Sequence, residues 1–430
     1  TPTSLGSITF TPIAGTTRVT TPRYALARVT DANALGSPQY VSIVLDPGST
    51  QVFPSPVPSG VFFTAAARSG VSASQSVTLN TSSSAAVTFQ TSSITTDGVN
   101  WLLATPVSGT VSFGQPAQIA VSVDTTSLIP GVYTGTVNVS IGTNVRAVNV
   151  TLVVPPAAGA AEPLLSSNSR EAGCSASKLA IASTGLPGSF QVPAGWPASL
   201  IVKLYDDCGT AVTSGKVVVN FSNGDPPVAL ISDRLTGTYS GTWNVGTVSS
   251  QMTATAQGTA PGLTAVSTTL VGAVGPNATP PPQIAANGVV HNSNPKTGGA
   301  LAPGNVAAIY GAGLASQTAS PGVLPLVTQF NGSEVIVGGS NAPFYFLSAG
   351  QVNVQIPNEL APNRQYQVVA IVNNALTAPQ TIDLSPAVPG VSAFADGTLI
   401  AQHGDFQLVT AANPSRAGEV LVMYLAGMGA

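Results

Sequence analysis

Charged side chains are scarce in this chain, which has 13 Lys and Arg and 16 Asp and Glu among its 430 residues, or 7%. An ordinary soluble domain has about 25%. The net charge of −3 offers no basic surface to neutralise phosphates, which excludes a nucleic-acid-binding protein. No apolar run approaches the ~18 uninterrupted residues of a membrane-spanning helix. Good helix formers such as Lys, Glu and Met are also rare, which argues against a helical fold.

Side chains that commonly catalyse reactions are equally sparse. The two histidines, His291 and His403, lie far apart in the sequence, and no HExxH, GxSxG or phosphate-loop motif is present. The carboxylates are spread along the chain, mostly beside Gly or Pro, rather than paired as a glycosidase requires. We therefore predict that the protein is not an enzyme and uses no cofactor and no catalytic metal.

Cysteine occurs twice, at Cys174 and Cys208. The spacing fits no CxxC motif, and a single pair in a chain rich in Ser, Thr and Gly indicates a structural disulfide. Two buried free thiols remain the alternative. A disulfide and a low charge together favour an extracellular or cell-surface protein. The sequence starts at Thr1 with no signal sequence, so we expect that a signal peptide has been removed or was not included.

Short alternating patterns of Val, Thr and other β-formers are abundant. Apolar and polar residues alternate over 133–141, Gly142 follows with turn chemistry, and the alternation resumes over 148–152, which predicts an antiparallel hairpin. No segment keeps a helical period. We predict an all-β protein of tandem Ig-like antiparallel β-sandwich domains in an elongated rod. Further strands are predicted at 77–89, 117–123, 200–205, 216–221, 334–337, 351–356 and 366–372.

Three Pro-rich segments mark the expected domain boundaries, at 54–58, 155–159 and 275–284. The last contains Pro280-Pro281-Pro282 and is the clearest linker. The predicted units are an N-terminal β segment or partial Ig-like domain at 1–57, an Ig-fold domain at 58–155, a second Ig-like domain at 160–274, the linker at 275–284, and a C-terminal β domain at 285–430.

Residues 58–155 contain Asn100-Trp101-Leu102, then 106–110 with the sequence PVSGT, and 128–136 with the sequence LIPGVYTGT. These motifs resemble a BACON-like Ig-fold module. The family name carries a suggestion of carbohydrate binding, which makes Trp101 and Tyr133 candidate carbohydrate contacts. The competing interpretation is that Trp101 fills the core of a small sandwich and Tyr133 packs inward beside it, and the composition favours this second role.

Residues 160–274 contain Tyr205-Asp206-Asp207-Cys208-Gly209, the segment 222–227 with the sequence SNGDPP, and 237–243 with the sequence GTYSGTW. The stretch resembles a bacterial Ig-like module of the invasin type. Asp206, Asp207 and Asp225 are candidate calcium ligands. The alternative is that these aspartates belong to a tight turn and to the start of a loop. Cys208 beside the turn would tie a β-strand to the domain's first residues through Cys174.

Residues 285–430 carry the most specific motifs: LAPGNV at 301–306, APFYFLS at 342–348, GQVNVQIP at 350–357 and AGEVL at 417–421. They resemble the C-terminal domain of large uncharacterised secreted proteins of Solibacter-like Acidobacteria. That resemblance implies no catalytic role. Its pattern continues beyond the Gly-x-Gly at 427–429, so we expect the last sandwich to be incomplete, as in a truncated chain.

Three functions compete on this basis. The first is a structural or adhesive extracellular protein, either a surface rod or a filament subunit, because neutral faces and edges poor in Lys favour self-association or contact with other surface proteins. In that case the segment 3–11 of one copy is a candidate strand donor to another. The second is an accessory spacer of a larger secreted enzyme. The third is a polysaccharide-binding module at 58–155.

Overall fold

The computed structural model describes residues 21–31, 34, 37–45, 55–81, 83–142, 144–156, 174–394 and 396–429. Every regular element in these ranges is a β-strand, which confirms the predicted all-β class. The described residues accordingly include no helix of the length and apolarity needed to cross a bilayer. The chain divides into two units, Thr50–Pro280, and Thr1–Ser49 together with Pro281–Ala430. The predicted donor segment 3–11 lies outside the described residues.

The first described strands form an antiparallel ribbon in which Arg23 pairs with Leu45 and Val29 with Gln39. Alternate residues face opposite sides of such a ribbon, so Tyr24, Leu26 and Tyr40 share one face. We call this ribbon the N-terminal hairpin. Its strands are β1 (Arg23–Val29) and β2 (Gln39–Leu45).

The first sandwich packs a five-stranded sheet, ordered β4-β11-β10-β6-β8, against a four-stranded sheet, ordered β3-β5-β9-β7. The predicted hairpin is β10 and β11, with Tyr133 opposite Leu152 and the left-handed Gly142 beyond the last pair. The run predicted at 77–89 is two strands, because the chain leaves one sheet after Asn80 and enters the other at Val87. The strands are β3 (Ser55–Val57), β4 (Gly60–Thr64), β5 (Gln75–Asn80), β6 (Val87–Thr95), β7 (Leu102–Thr105), β8 (Ser108–Val111), β9 (Ala117–Val123), β10 (Gly131–Ile141) and β11 (Asn144–Val154).

The second sandwich is one continuous hydrogen-bonded path of eight strands, ordered β12-β14-β17-β16-β15-β18-β19-β13. Its core centres on Trp243, which stacks on Phe221 at 4.4 Å between ring centroids and meets Phe190 edge-on at 6.0 Å. The strands are β12 (Leu179–Ser183), β13 (Phe190–Pro193), β14 (Pro197–Asp206), β15 (Lys216–Phe221), β16 (Val228–Ser232), β17 (Thr238–Asn244), β18 (Ser249–Ala260) and β19 (Leu263–Gly275).

The two sandwiches of the Thr50–Pro280 unit share a packed interface. The ring of Phe62 lies parallel to that of Tyr205 with 3.6 Å between centroids, and Ala147 and Gly188 exchange backbone hydrogen bonds of 3.2 and 3.1 Å. Gly60 is required here, since a Cβ at this position would collide with the carbonyl oxygen of Ser183. These contacts fix the two sandwiches to each other.

The C-terminal sandwich packs the sheet β20-β21-β26-β25 against a second sheet, which we call the outer sheet and which contains β22, β23, β24, β27, β28 and β29. Two short strand pairs, β30-β33 and β31-β32, follow in the C-terminal segment, residues 390–429. The strands are β20 (Gln283–His291), β21 (Val306–Ala312), β22 (Gln329–Phe330), β23 (Ser333–Val337), β24 (Ser340–Asn341), β25 (Phe344–Leu347), β26 (Gln351–Gln355), β27 (Arg364–Val372), β28 (Ala375–Leu376), β29 (Gln380–Leu384), β30 (Gly390–Val391), β31 (Ala401–Gln402), β32 (Val422–Met423) and β33 (Leu425–Ala426).

Candidate functional site

Trp101 cannot contact a carbohydrate in this structure, because its side chain is fully buried in the core of the first sandwich. Its indole N–H donates to Asp97 Oδ1 at 3.1 Å. Tyr133 meets Trp101 edge-on with 6.2 Å between ring centroids, and its hydroxyl donates to the carbonyl of Ile129 at 2.8 Å. Sugar stacking needs an open aromatic face, so Trp101 fills the core, as the competing interpretation proposed, and Tyr133 packs against it partly buried.

Asp225 does not join the other two aspartates that were candidate calcium ligands. It is 7% exposed and accepts hydrogen bonds from the indole N–H of Trp243 at 2.9 Å and from the backbone N–H of Gly246 and Thr247 at 3.0 and 2.9 Å. Burial acts to raise the pKa of Asp225, but the hydrogen bonds from Gly246 and Thr247 outweigh it and hold the pKa below its ordinary value. The carboxylate therefore anchors a tryptophan and a loop.

Asp206 and Asp207 close the turn that carries Cys208. Asp206 Oδ1 accepts from the backbone N–H of Cys208 at 3.0 Å and of Thr210 at 2.8 Å. Asp207 Oδ1 accepts from the backbone N–H of Ser177 at 2.9 Å. Among the residues that the structure describes, no three His, Cys, Asp or Glu side chains come together to hold a metal ion. Asp206 and Asp207 therefore serve the turn and Asp225 serves a loop, as the alternative interpretation proposed, and the three aspartates do not form one set of ligands in the described residues.

The predicted disulfide is present and joins Cys174 to Cys208, with their Cα atoms 5.8 Å apart. Cys208 lies in the turn that follows β14, and Cys174 lies in the segment that leads into β12. The bond therefore fastens the first described residues of the second sandwich to the turn that follows β14. The alternative of two free thiols does not hold, as no free cysteine remains.

The two histidines occupy different surroundings in the C-terminal part of the chain. His291 is buried, and its Nδ1 accepts from the backbone N–H of Ser293 at 3.0 Å. Burial lowers the pKa of His291, while the carbonyls of Val388 and Ala426 act in the opposite direction. His403 forms an ion pair with Glu419. His403 Nε2 also lies 3.2 Å from the carbonyl of Asn413.

The C-terminal segment carries a concentration of exposed apolar side chains. Within it, Phe406 is 65% exposed and Val420 is 81% exposed. Exposed apolar surface beyond scattered single residues is a mark of interaction sites in soluble proteins. The nine large apolar residues exposed there are Phe394, Leu399, Phe406, Leu408, Val420, Met423, Tyr424, Leu425 and Met428.

A polar depression of about 600 Å³ lies on the first sandwich, along the sheet that ends in the edge strand β8. It carries no charged side chain among its lining residues. Its hydroxyl and amide groups are of the kind that hydrogen-bond to sugars. The lining residues are Thr88, Phe89, Gln90, Ser108, Gly109, Thr110, Ser140 and Gly142.

Sequence reasoning missed the packing of the N-terminal hairpin against the outer sheet. Tyr40 is buried there among Val369 and Leu376, more than 300 positions away in the sequence. A signal for this contact exists in 368–372, where the residues are VVAIV without alternation. A continuous apolar run indicates a strand that is covered on both faces.

A family model described as the viral BACON domain matches residues 61–153, which supports the BACON-like module predicted at 58–155. No curated protein matches the chain. Solved structures with some similarity include the D0-D1 domain of intimin, 11% identical over 51% of this chain and 97% of that one, with a TM-score of 0.24. The periplasmic chaperone SfaE is 10% identical over 51% and 100%, with a TM-score of 0.22.

A third similar structure is the CsuC-CsuE chaperone–tip adhesion subunit pre-assembly complex from the archaic chaperone-usher Csu pili of Acinetobacter baumannii. It is 10% identical over 52% of this chain and 100% of that one, with a TM-score of 0.23. Scores this low say nothing about the partners of the present chain. The β-sandwich architecture rests on the sheets themselves.

Proposed function

We propose that this protein is a non-catalytic, extracellular structural or adhesive protein whose β-sandwich domains associate with other copies of the chain, as in a surface rod or filament. The observation that carries the proposal is the set of exposed apolar side chains in the C-terminal segment. Phe406 and Val420 lie largely in solvent in an isolated chain. Association would remove such side chains from water at about 25 cal/mol per Å² of apolar surface.

The scarcity of charge supports the same proposal. Soluble monomers stay apart partly through charge repulsion and through Lys or Glu placed on exposed sheet edges. This chain has a net charge of −3 over 430 residues. The edge strand β8 has the sequence SGTV, without a charged residue, and is flanked by the exposed Val107 and Phe113. Little therefore opposes the approach of a second neutral surface.

The disulfide supports an extracellular or surface location, because disulfides persist in oxidising compartments. The proposal assigns no reaction to the chain. The role of the BACON-like and Ig-like domains is then to supply stable, neutral β-surfaces.

The test is the mass and shape of the purified protein in solution. Light scattering behind size exclusion, over a range of concentrations, and negative-stain electron microscopy should show species larger than one 42.8 kDa chain. Phe406→Ser combined with Val420→Ser should reduce association, whereas Ile231→Ser, at an exposed position of the second sandwich, should not. A strictly monomeric wild-type protein at every concentration would refute the proposed function.

The polar depression on the first sandwich favours a second candidate function, polysaccharide binding as an accessory region of a larger secreted enzyme. Gln90 lies in the depression, and Gln118 lies on the opposite sheet, where it accepts from the hydroxyls of Ser76 and Thr78. Binding to a glycan array that is lost in Gln90→Ala and kept in Gln118→Ala would support this candidate. Absence of binding by the wild-type protein would remove it.

A further inference from the structure

The N-terminal hairpin covers an apolar surface that the C-terminal sandwich would otherwise present to water. On β27, Tyr366, Val368 and Ala370 point into the core of that sandwich. The intervening Val369 and Ile371 point outward and pack against the hairpin. We call this outward surface the docking face; it comprises Ile336, Gln367, Val369, Ile371 and Leu376.

The contact is specific and well packed. Tyr40 is 7% exposed at its centre and Val369 beneath it is fully buried. The backbone N–H of Tyr40 donates to Gln367 Oε1, and Ser42 Oγ donates to the carbonyl of Thr377 at 2.8 Å. Burial raises the pKa of the Tyr40 hydroxyl, which agrees with its place under the hairpin.

The turn at Gly339 extends the contact beyond the docking face. Its φ of 99° is a conformation that glycine adopts without strain. A Cβ at this position would lie 3.2 Å from the ring of Pro38 and 3.3 Å from the hydroxyl of Tyr40. The hairpin therefore approaches the backbone of the C-terminal sandwich closely, which a loosely placed segment would not do.

A two-stranded ribbon has no core of its own and is marginally stable in water. The hairpin depends on the docking face for its burial, and the docking face depends on the hairpin. Their covalent connection runs through residues 46–280, and no residue of that stretch takes part in the contacts described above. The surface is therefore equally complementary to the hairpin of another copy.

We propose that the docking face is an assembly site that takes the N-terminal hairpin of a second copy of this chain. The inference rests on the proposed function and adds to it a second surface through which copies associate, separate from the exposed apolar side chains of the C-terminal segment. Exchange of an identical element between protomers needs no new complementarity, and when the exchange does not close it propagates head to tail. Intrachain docking competes through the local concentration set by the tether, so rising protein concentration favours exchange.

The experiment uses two full-length variants that damage opposite sides of the same contact. Tyr40→Ala weakens the hairpin and leaves the docking face intact. Ile371→Lys places a charge on the docking face and leaves the hairpin intact. Val41→Ala, on the outward face of the hairpin where Val41 is 44% exposed, serves as the matched control. Each protein is passed through mild urea and returned to buffer, alone and in pairs, and its mass is measured by light scattering.

Each variant alone should associate on the order of tenfold more weakly than wild type, as expected for loss of a buried aromatic anchor or insertion of a charge at an interface. The 1:1 mixture should form a heterodimer and nothing larger, because only the hairpin of Ile371→Lys and the docking face of Tyr40→Ala remain functional. Val41→Ala should behave as wild type. Circular dichroism of each variant checks folding, and Val369→Ala replaces Ile371→Lys if the latter does not fold.

Three results would overturn the proposal. If wild type associates and both variants associate equally well, the copies meet through another surface and only the hairpin assignment fails. If the variants are monomeric and their mixture is also monomeric, the hairpin contact is intrachain and assembly depends on it indirectly. If wild type never associates, the proposed function fails together with the assignment.

Discussion

Among the carboxylates of the second sandwich, Asp225 is the one whose replacement by alanine should lower the free energy of unfolding most. The Asp225 carboxylate is almost fully buried and accepts from the indole of Trp243 and from two consecutive backbone N–H groups, those of Gly246 and Thr247. Alanine would leave three donors without their acceptor next to the aromatic core. Trp243 itself stacks on Phe221, so displacement of the indole would disturb the packing of the core.

The expected cost follows from the number of donors. A hydrogen bond to a charged group contributes about 1.5–3 kcal/mol, and a buried donor left unsatisfied costs about 1–3 kcal/mol. Since the three bonds share one carboxylate and water can reach the loop side, the losses do not add fully. We expect a decrease of about 3 kcal/mol in the free energy of unfolding of this sandwich. With a urea m-value of about 1.5 kcal/mol/M, its midpoint should fall by about 2 M.

The first sandwich offers a matched control in which a carboxylate accepts from a buried tryptophan indole but is itself exposed. Asp97 accepts from the indole N–H of Trp101 at 3.1 Å and from the backbone N–H of Val99 at 3.2 Å, but its side chain lies at the surface. Water can replace an exposed acceptor. Asp97→Ala should therefore cost only about 1 kcal/mol or less.

The pH dependence provides a second check on the role of Asp225. Its native pKa lies below the ordinary carboxyl value because the hydrogen bonds outweigh the effect of burial. The stabilisation is therefore present above the unfolded pKa of about 4 and is lost as the pH falls through the depressed native pKa. The difference in the free energy of unfolding between wild type and Asp225→Ala should be constant near neutral pH and should become smaller below about pH 4.

The assay is urea unfolding followed by tryptophan fluorescence and by calorimetry, which separates the transitions of the individual sandwiches. A loss for Asp225→Ala no larger than that for Asp97→Ala would refute the reasoning, because burial would then make no difference. The reasoning would also be refuted if the loss of stability caused by Asp225→Ala became larger at acidic pH, because protonation of Asp225 removes the charge that strengthens its hydrogen bonds.

Three further predictions concern the other sites. Reduction of the Cys174–Cys208 bond, which closes a loop of 34 positions, should lower the stability of the second sandwich by about 3–4 kcal/mol, measured by urea unfolding with and without reductant. Trp101→Ala should unfold the first sandwich at a cost of about 3–5 kcal/mol, measured by circular dichroism; a folded variant that loses glycan binding would contradict its core role. The hydrogen bond with Glu419 raises the pKa of His403. The pair therefore stabilises the C-terminal segment fully below the pKa of about 6.5 that histidine has in the unfolded chain, and this stabilisation is lost as the pH rises through the higher pKa of His403 in the native state. NMR titration of His403 in wild type and Glu419→Gln measures this, and equal pKa values would contradict it.

The sequence was sufficient for local features whose determinants lie close together in the chain. The alternation over 133–141 and 148–152 predicts the β10–β11 hairpin because the side-chain period of a strand is two. The single pair Cys174 and Cys208 permits one disulfide. The prediction failed over 77–89, where the apolar residues at both ends belong to strands of different sheets. Composition does not mark the point at which a chain changes sheets.

The three candidate calcium ligands illustrate a related point. A short acidic sequence such as Asp206-Asp207 has the same composition in a turn as in a metal site, and the difference lies in which donors surround it. The partners of Asp225 are Trp243 and a loop about 20 residues onward, and no local pattern indicates them. The resemblance of residues 285–430 to the Solibacter-type domain and the rod shape remain predictions.

The packing of the N-terminal hairpin shows which features a sequence pattern predicts and which depend on the topology of the chain. The VVAIV run at 368–372 predicts a strand covered on both faces, and the core of the C-terminal sandwich accounts for one face only. A strand buried on two sides in a sandwich requires a third layer, and β1 and β2 supply it from the other end of the described chain. Because that layer is tethered only through residues 46–280, the docking face that completes the fold within one chain is also the proposed site for the hairpin of a second copy.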